Sequence, residues 1–177
     1  CAGSARGPGN EAGYITQKFT RACIGTNNVD HCARICHAAS VAGLRGTIGE
    51  GAMSVSVPDI EKAQVIFNIG YNAGTSHPLV ARRIVRAKQK GCKIICADPQ
   101  ITETARIADI HLRLKGGTNM PLLNAMAYTI IDENLVNHQF IKDHVNGYEE
   151  FKEQIQKYSP ELMADIIGVP ARDIREA

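Results

Sequence analysis

The fold is decided by residues 63–98, which read AQVIFNIGYNAGTSHPLVARRIVRAKQKGCKIICAD. Residues 63–69 are a short, nearly continuous apolar run, as expected for a parallel strand that is covered on both faces. A loop of glycine and small polar residues follows, and apolar residues at helical spacing then predict a helix from His77 to Lys90. Pro78 stands where a first-turn proline is tolerated. Residues 93–97 are a second apolar run, so the stretch predicts a strand, a helix and a second strand.

The same alternation continues toward the carboxyl end of the chain. Thr102 begins a short helical stretch, and Ile110, Leu112 and Leu114 then alternate with polar residues, which predicts a third strand nearer an edge. A long apolar helix is predicted from Met120 to Glu133. This order predicts the α/β class, with a Rossmann-like, doubly wound parallel sheet. The last 40 residues have the pattern of amphipathic helices, which would form a helical extension.

Composition and charge exclude several classes of protein. The 177 residues are 44% apolar, which is enough for a buried core. Twenty Lys and Arg against 18 Asp and Glu leave a formal net charge of +2 without a dense run of one sign, which argues against nucleic-acid binding. No apolar run reaches the roughly 18 residues of a membrane span. Six cysteines without a CxxC pair indicate a reducing, cytoplasmic compartment, with Cys92 and Cys96 expected in the core.

The loops after the three predicted strands are a first candidate site. In an open α/β sheet these loops border the crevice where ligands bind, and helix N-termini there can contact phosphates. Residues 70–74 do not match GxGxxG, so a common NAD site is not indicated. Asp98 could accept hydrogen bonds from ribose hydroxyls, and residues 116–119 repeat the pattern after the third strand. The alternative is a set of turns that need positive φ, with Asp98 as a helix cap.

Residues 30–37, DHCARICH, are a second candidate site. The thiols of Cys32 and Cys36 lie four residues apart with histidines at both outer edges, so they could ligate a metal such as zinc. A cysteine beside a histidine could also be an activated nucleophile, because a neighbouring imidazolium lowers the pKa of a thiol. In the alternative interpretation both thiols pack as small apolar groups on one helix face, and the histidines are solvated.

Residues 25–37, GTNNVDHCARICH, resemble the active-site segment of molybdopterin-dependent formate dehydrogenases, in the catalytic alpha subunit. Residues 4–11, SARGPGNE, are similar to the segment that precedes it. Later segments resemble the same family in the same order, and they are residues 70–72, 76–78, 97–99, 104–106 and 114–119. The resemblance covers essentially the whole chain, whereas the family chains are several times longer. It implies an internal fragment of a larger multidomain subunit, and Cys1–Arg6 accordingly contains neither an initiator Met nor a signal core.

The resemblance implies a metal centre. Cys36 occupies the position of the cysteine or selenocysteine that ligates molybdenum or tungsten, which two molybdopterin guanine dinucleotides otherwise hold. His37 matches the histidine beside the metal that takes part in moving the substrate proton. The related periplasmic nitrate reductases share residues 25–28 but differ after their metal cysteine, so Cys36 followed by His37 favours formate. Soft thiolate sulfur suits a redox-active metal better than it suits a hard ion.

The resemblance also implies which residues bind the guanine dinucleotides. Most of them lie in the loops that follow the predicted strands, and the full set is Arg6, Gly70, Asn72, Ser76, Asp98, Gly117 and Asn119. Two positions depart from the family pattern. Thr75 replaces an acidic residue seen in some relatives, and Gln100 follows Asp98-Pro99 where arginine is usual.

The activity implied by the resemblance is the two-electron oxidation of formate to CO2, or its reverse. A [4Fe-4S] cluster would lie in a part of the subunit outside this chain, and an electron-transfer beta subunit would be the partner. Residues 1–31 would end an adjacent domain, residues 32–177 would form an incomplete dinucleotide-binding domain, and the isolated piece would be inactive. Two alternatives stay open: another molybdopterin oxidoreductase, similar to nitrate reductases, or a non-enzymatic nucleotide- or zinc-binding module.

Overall fold

A computed structural model describes residues 9–177 of the chain. The chain divides into two compact units, Cys1–Val55 and Ser56–Ala177. Among the described residues, only the second unit contains β-strands. None of the helices between residues 9 and 177 is long and apolar enough to cross a bilayer. The domain boundary between residues 31 and 32 concerns the complete subunit and stays a prediction.

Between residues 9 and 55 the first unit consists of helices and the loops that join them. The sequence predicts a helix from Tyr14 to Ile24, and the structure has one that starts five residues earlier. It consists of α1, Gly9–Phe19, and a π-helical turn over Thr20–Ile24. Gly25 ends the turn at a φ of 78°, a left-handed conformation that glycine adopts without steric cost. Two more helices follow in this unit, α2 (Ala33–Cys36) and α3 (Ala38–Ile48).

The second unit is built on a three-stranded parallel sheet in the order β1–β2–β3. All three predicted strands are therefore present, and the third lies at an edge. It ends two residues earlier than predicted, because the backbone N–H of Leu114 bonds to Leu112 within the chain instead of continuing a ladder. The strands are β1 (Val65–Ile69), β2 (Lys93–Ala97) and β3 (Ile110–Leu112).

The last two helices of the second unit begin at residues that favour a helix start. Pro170 precedes one of the last two helices, and the Oγ of Ser159 accepts from the backbone N–H of Leu162 at the start of the other. The helical segments are a 3₁₀ turn (Val57–Lys62), α4 (Ala73–Ser76), α5 (Pro78–Gln89), α6 (Glu103–Ile107), α7 (Asn119–Asp132), α8 (His138–His144), α9 (Tyr148–Ile155), a second 3₁₀ turn (Gln156–Tyr158), α10 (Pro160–Ile167) and α11 (Ala171–Glu176).

Helices cover the sheet on both faces. Successive side chains of a strand point to opposite faces, so Ile94 and Ile95 of β2 enter different cores. Ile94 packs with Ile84 of α5, and Ile95 packs in a second cluster with Leu122 of α7 and Ile167 of α10. The chain therefore crosses to the other face of the sheet after β3. The strand order within residues 9–177 contains no reversal, so the Rossmann-like, doubly wound topology stays a prediction.

The expectation that β1 is covered on both faces is wrong for one of its faces. Val65 and Phe67 are 55% and 37% exposed, although Ile66, which points the other way, packs against the α5 core. The reason is that the core beneath α7 is centred on β2 and β3, and of this face of β1 only Ile69, at its end, packs against that core.

Glu61, in the first 3₁₀ turn, ties that turn to α5. Its carboxylate accepts from Lys90 at 2.8 Å and from Arg83 at 2.6 Å, and these hydrogen bonds lower the pKa of Glu61 to about 2. Because the pKa in the folded state is depressed, the stabilisation is present at neutral pH and is lost as the pH falls toward 2.

We expect Leu122→Ala to lower the free energy of unfolding by about 2–5 kcal/mol, since it leaves a cavity beneath α7. Leu122 is fully buried, whereas its neighbour Leu123 on the same helix is 45% exposed. Urea unfolding of the 177-residue chain, followed by circular dichroism, measures the effect. Leu123→Ala is the matched control, with an expected loss below about 1 kcal/mol. Equal losses for the two variants would contradict the assignment of the α7 face to the core.

Candidate functional site

The carboxyl ends of the three strands meet at one edge of the sheet. The backbone N–H of Gly70 donates to the carbonyl of Ala97 at 2.9 Å, and that of Asp98 donates to Leu112 at 3.2 Å. Gly70 has a φ of 56°, in the region where glycine is favoured. These bonds place the loops after β1 and β2 side by side, so Gly70, Asn72 and Asp98 belong to one edge of the sheet.

Asn72 and Ser76 lie at the two ends of α4. The backbone N–H of Ser76 donates to the carbonyl of Asn72 at 3.0 Å, and the Asn72 Nδ2 donates to the Oγ1 of Thr75 at 3.0 Å. The Asn72 Oδ1 is buried and has no hydrogen-bond partner among the described residues. A buried acceptor left unpaired costs about 1–3 kcal/mol. A bound group that carries an N–H or O–H would satisfy it.

Asp98 is buried and closes a turn. One of its carboxylate oxygens accepts from the backbone N–H of Gln100 at 2.8 Å, the arrangement expected of a turn aspartate. The loop is also held from β3, because the His111 Nε2 lies 2.9 Å from the carbonyl oxygen of Asp98, and Arg113 donates to that of Pro99. Sequence reasoning missed these two contacts; the polar residues that alternate along β3 were the available signal.

Two further predicted cofactor residues, Gly117 and Asn119, lie in the loop after β3 and at the start of α7. Gly117, with a φ of 85°, and Asn119, the exposed first residue of α7, lie beyond the end of β3. Between residues 9 and 177 the structure contains no hydrogen bond from either of them to the loops after β1 and β2. Arg6 lies outside the described residues.

Cys36 and His37 lie in the first unit, at the junction of two helices. Cys36 is the last residue of α2, and His37 separates α2 from α3. The side chains of both are exposed, and so is that of Cys32. The structure therefore buries neither thiol of this segment, in contrast to the packing that the alternative interpretation expected. Cys92 and Cys96 are buried, as predicted.

Hydrogen bonds fix the start of α2. Asp30 accepts from the backbone N–H of His31 at 2.8 Å and from the Arg34 Nε at 2.9 Å, and these bonds lower the pKa of Asp30. The His31 Nδ1 accepts from the backbone N–H of Ala33, the first residue of α2, at 3.0 Å. Residues 9–177 contain no group of three or more His, Cys, Asp or Glu side chains arranged to hold a metal.

Two titratable side chains close to the sheet have perturbed pKa values. Burial raises the pKa of Tyr71, whose ring centroid lies 5.5 Å from that of His77. Burial also raises the pKa of the Cys96 thiol, which accepts from the Asn68 Nδ2 at 3.6 Å. Desolvation disfavours the charged form of both groups, so at neutral pH they are neutral packing groups of the sheet.

A family model described as molybdopterin oxidoreductase matches residues 1–168. The chain is 51% identical to formate dehydrogenase H of Escherichia coli, over 99% of its own length, and 51% identical to the F420-dependent formate dehydrogenase 1 subunit alpha of Methanococcus maripaludis, over 95%. It is 38% identical to the periplasmic nitrate reductase of Desulfovibrio desulfuricans over 93% of its length. The chain spans about a quarter of the length of these relatives.

A solved structure with a similar fold is that of acetylene hydratase from Pelobacter acetylenicus. The two superpose with a TM-score of 0.74 and share 29% sequence identity. The match covers 99% of this chain and 24% of that one. Sequence and fold thus agree on one family of proteins.

Proposed function

Because this chain belongs to the molybdopterin oxidoreductase family, we propose that it is part of the catalytic alpha subunit of a formate dehydrogenase. The observation that carries the proposal is the 51% identity with formate dehydrogenases of two organisms, against 41% and 38% with two nitrate reductases. The reaction is the oxidation of formate to CO2, which releases one proton and two electrons, or its reverse. A nitrate reductase-like activity is the alternative.

We infer that the cofactor is molybdenum or tungsten held by two molybdopterin guanine dinucleotides. The residues present fit such a group in two respects. The unpaired, buried Oδ1 of Asn72 suits a ligand with N–H or O–H donors, which guanine and ribose carry. The exposed thiol of Cys36 is a soft ligand that suits a redox-active metal. When bound, this group supplies the two-electron redox chemistry, and the protein supplies binding and orientation.

Each site residue then has a proposed role. Cys36 would ligate the metal through its thiolate, and the imidazole of His37 would accept the proton that formate releases. The loops at the carboxyl ends of the strands, where a Rossmann-like sheet binds nucleotides, hold a dinucleotide. The proposed dinucleotide-binding residues are Arg6, Gly70, Asn72, Ser76, Asp98, Gly117 and Asn119.

We propose that the electrons leave through a [4Fe-4S] cluster outside this chain and pass to an electron-transfer beta subunit. The Methanococcus maripaludis relative is itself named as an alpha subunit, which supports a partner of this kind. The proposed substrate pair is formate and CO2. The cytoplasmic location of the protein stays a prediction.

The proposed function is tested on the complete protein, with metal and guanine analysis beside an activity assay. We expect molybdenum or tungsten, guanine nucleotide released by acid, and reduction of an artificial dye that depends on formate. Reduction of nitrate without oxidation of formate would favour the alternative enzyme. Zinc as the only metal would contradict both and favour a zinc-binding module.

We expect Asp98→Ala in the complete subunit to lower the content of guanine nucleotide. The substitution removes a buried carboxylate that has one oxygen in a turn and could accept from a ribose hydroxyl with the other. Guanine released by acid, per mole of protein, measures the effect, and the exposed Asp143→Ala is the control. If the Asp98 variant keeps the wild-type content, Asp98 only closes its turn.

A further inference from the structure

The side chain of Glu103, the first residue of α6, lies against the backbone of α4. A Cβ atom added at Gly74 would lie 2.8 Å from the Glu103 Cδ and closer still to its Oε2. Gly74 lies within α4 and outside the left-handed region, so it provides space for the carboxylate rather than an unusual backbone conformation. This contact joins the loop that follows β1 to the loop that follows β2.

Glu103 lies in the first turn of α6, where a negative charge is favoured, and its carboxylate pairs with none of the described residues. Its side chain is exposed, and the structure gives its carboxylate no hydrogen bond or ion pair with any of residues 9–177. The start of α6 is capped without it, because the Thr102 Oγ1 accepts from the backbone N–H of Ala105 at 3.1 Å. The carboxylate is therefore free to accept hydrogen bonds from a ligand.

The same two loops carry two further acceptor groups. The unpaired Oδ1 of Asn72 lies two residues before Gly74, and Asp98 brings a carboxylate to the end of β2. A pyrophosphate at neutral pH is itself negatively charged and an acceptor, so Glu103 and Asp98 would repel it. The loops at the carboxyl ends of β1 and β2 therefore suit a neutral group that donates hydrogen bonds.

Guanine is such a group. Its N1–H and its 2-amino group point in the same direction, and two parallel donors match the two oxygens of a carboxylate. We propose that Glu103, set in place by Gly74, is a specificity-determining residue that accepts hydrogen bonds from the N1–H and 2-amino group of guanine. The inference rests on the proposed function, because it takes the nucleotide of that site to be a guanine nucleotide.

The test is calorimetric titration of the complete, metal-free protein with GDP and with inosine diphosphate, which lacks only the 2-amino group. We expect the wild-type protein to bind GDP about tenfold or more tightly, as a bidentate contact gives. Glu103→Gln, which keeps the size of the side chain but not its charge, should bind the two nucleotides with nearly equal affinity. Gly74→Ala, which keeps the carboxylate but occupies its position, should also lose the preference.

Glu153→Gln, an exposed acid on α9, is the matched control and should keep the preference. Three results would overturn the inference: a wild-type protein that fails to prefer GDP, a Glu103→Gln variant that still prefers it, or one that loses affinity for both nucleotides equally, as a ribose contact would. Preference kept by Gly74→Ala alone would overturn the role of Gly74. The proposed function fails by a different result, which is that the complete wild-type protein as purified contains no guanine dinucleotide.

Discussion

Cys36→Ser in the complete enzyme is expected to remove nearly all formate-dependent dye reduction. Serine offers a hard oxygen in place of a soft sulfur, so the electronic properties of a bound molybdenum or tungsten would change even where the cofactor stays in place. Cys36 ends α2 with an exposed side chain, so the exchange of one atom leaves no cavity in a core. Dye reduction is measured and divided by the metal content of each preparation.

Cys32→Ser is the control within the same segment. Cys32 is also exposed and precedes α2 by one residue, so the variant changes the same chemical group close by. We expect it to lose little activity, because Cys32 has no proposed role. Should it prove as damaging as Cys36→Ser, with metal lost from both variants, a two-cysteine metal site would replace the proposed single ligand.

His37→Ala is expected to lower the turnover of formate by about 10²–10⁴-fold while the metal and the guanine nucleotide remain bound. The imidazole is the proposed proton acceptor, and its loss leaves the ligand Cys36 in place. Activity, metal and guanine are measured on one preparation, with His144→Ala, an exposed histidine of α8, as the control. Loss of metal together with activity would contradict the proposed role and indicate that His37 holds the centre instead.

The strands and helices of the second unit could be predicted because their signals are local. Continuous apolar runs mark β1 and β2, and Pro78 is the first residue of α5. Thr102 caps α6 with its own side chain. Each of these features depends on residues only a few positions apart, so the chain specifies it before any distant contact forms.

Exposure depends on what packs against an element, and the sequence of the element does not contain that information. The apolar run of β1 is compatible with burial on both faces, yet Val65 and Phe67 are exposed because the core on that face is centred on β2 and β3. The segment around Cys36 is compatible with a packed helix face, yet the structure leaves Cys32 and Cys36 exposed.

Local patterns in the sequence specify the order of strands and helices and the loops that follow the strands, and residues 25–37, with Cys36 and His37, carry the resemblance to a family of enzymes. Which distant groups meet depends on the tertiary structure. It placed Glu103 over Gly74 and the ring of His111 beside the backbone of Asp98. These residues are 29 and 13 positions apart, and their contacts exist only because parallel pairing aligns the carboxyl ends of the strands at one edge of the sheet.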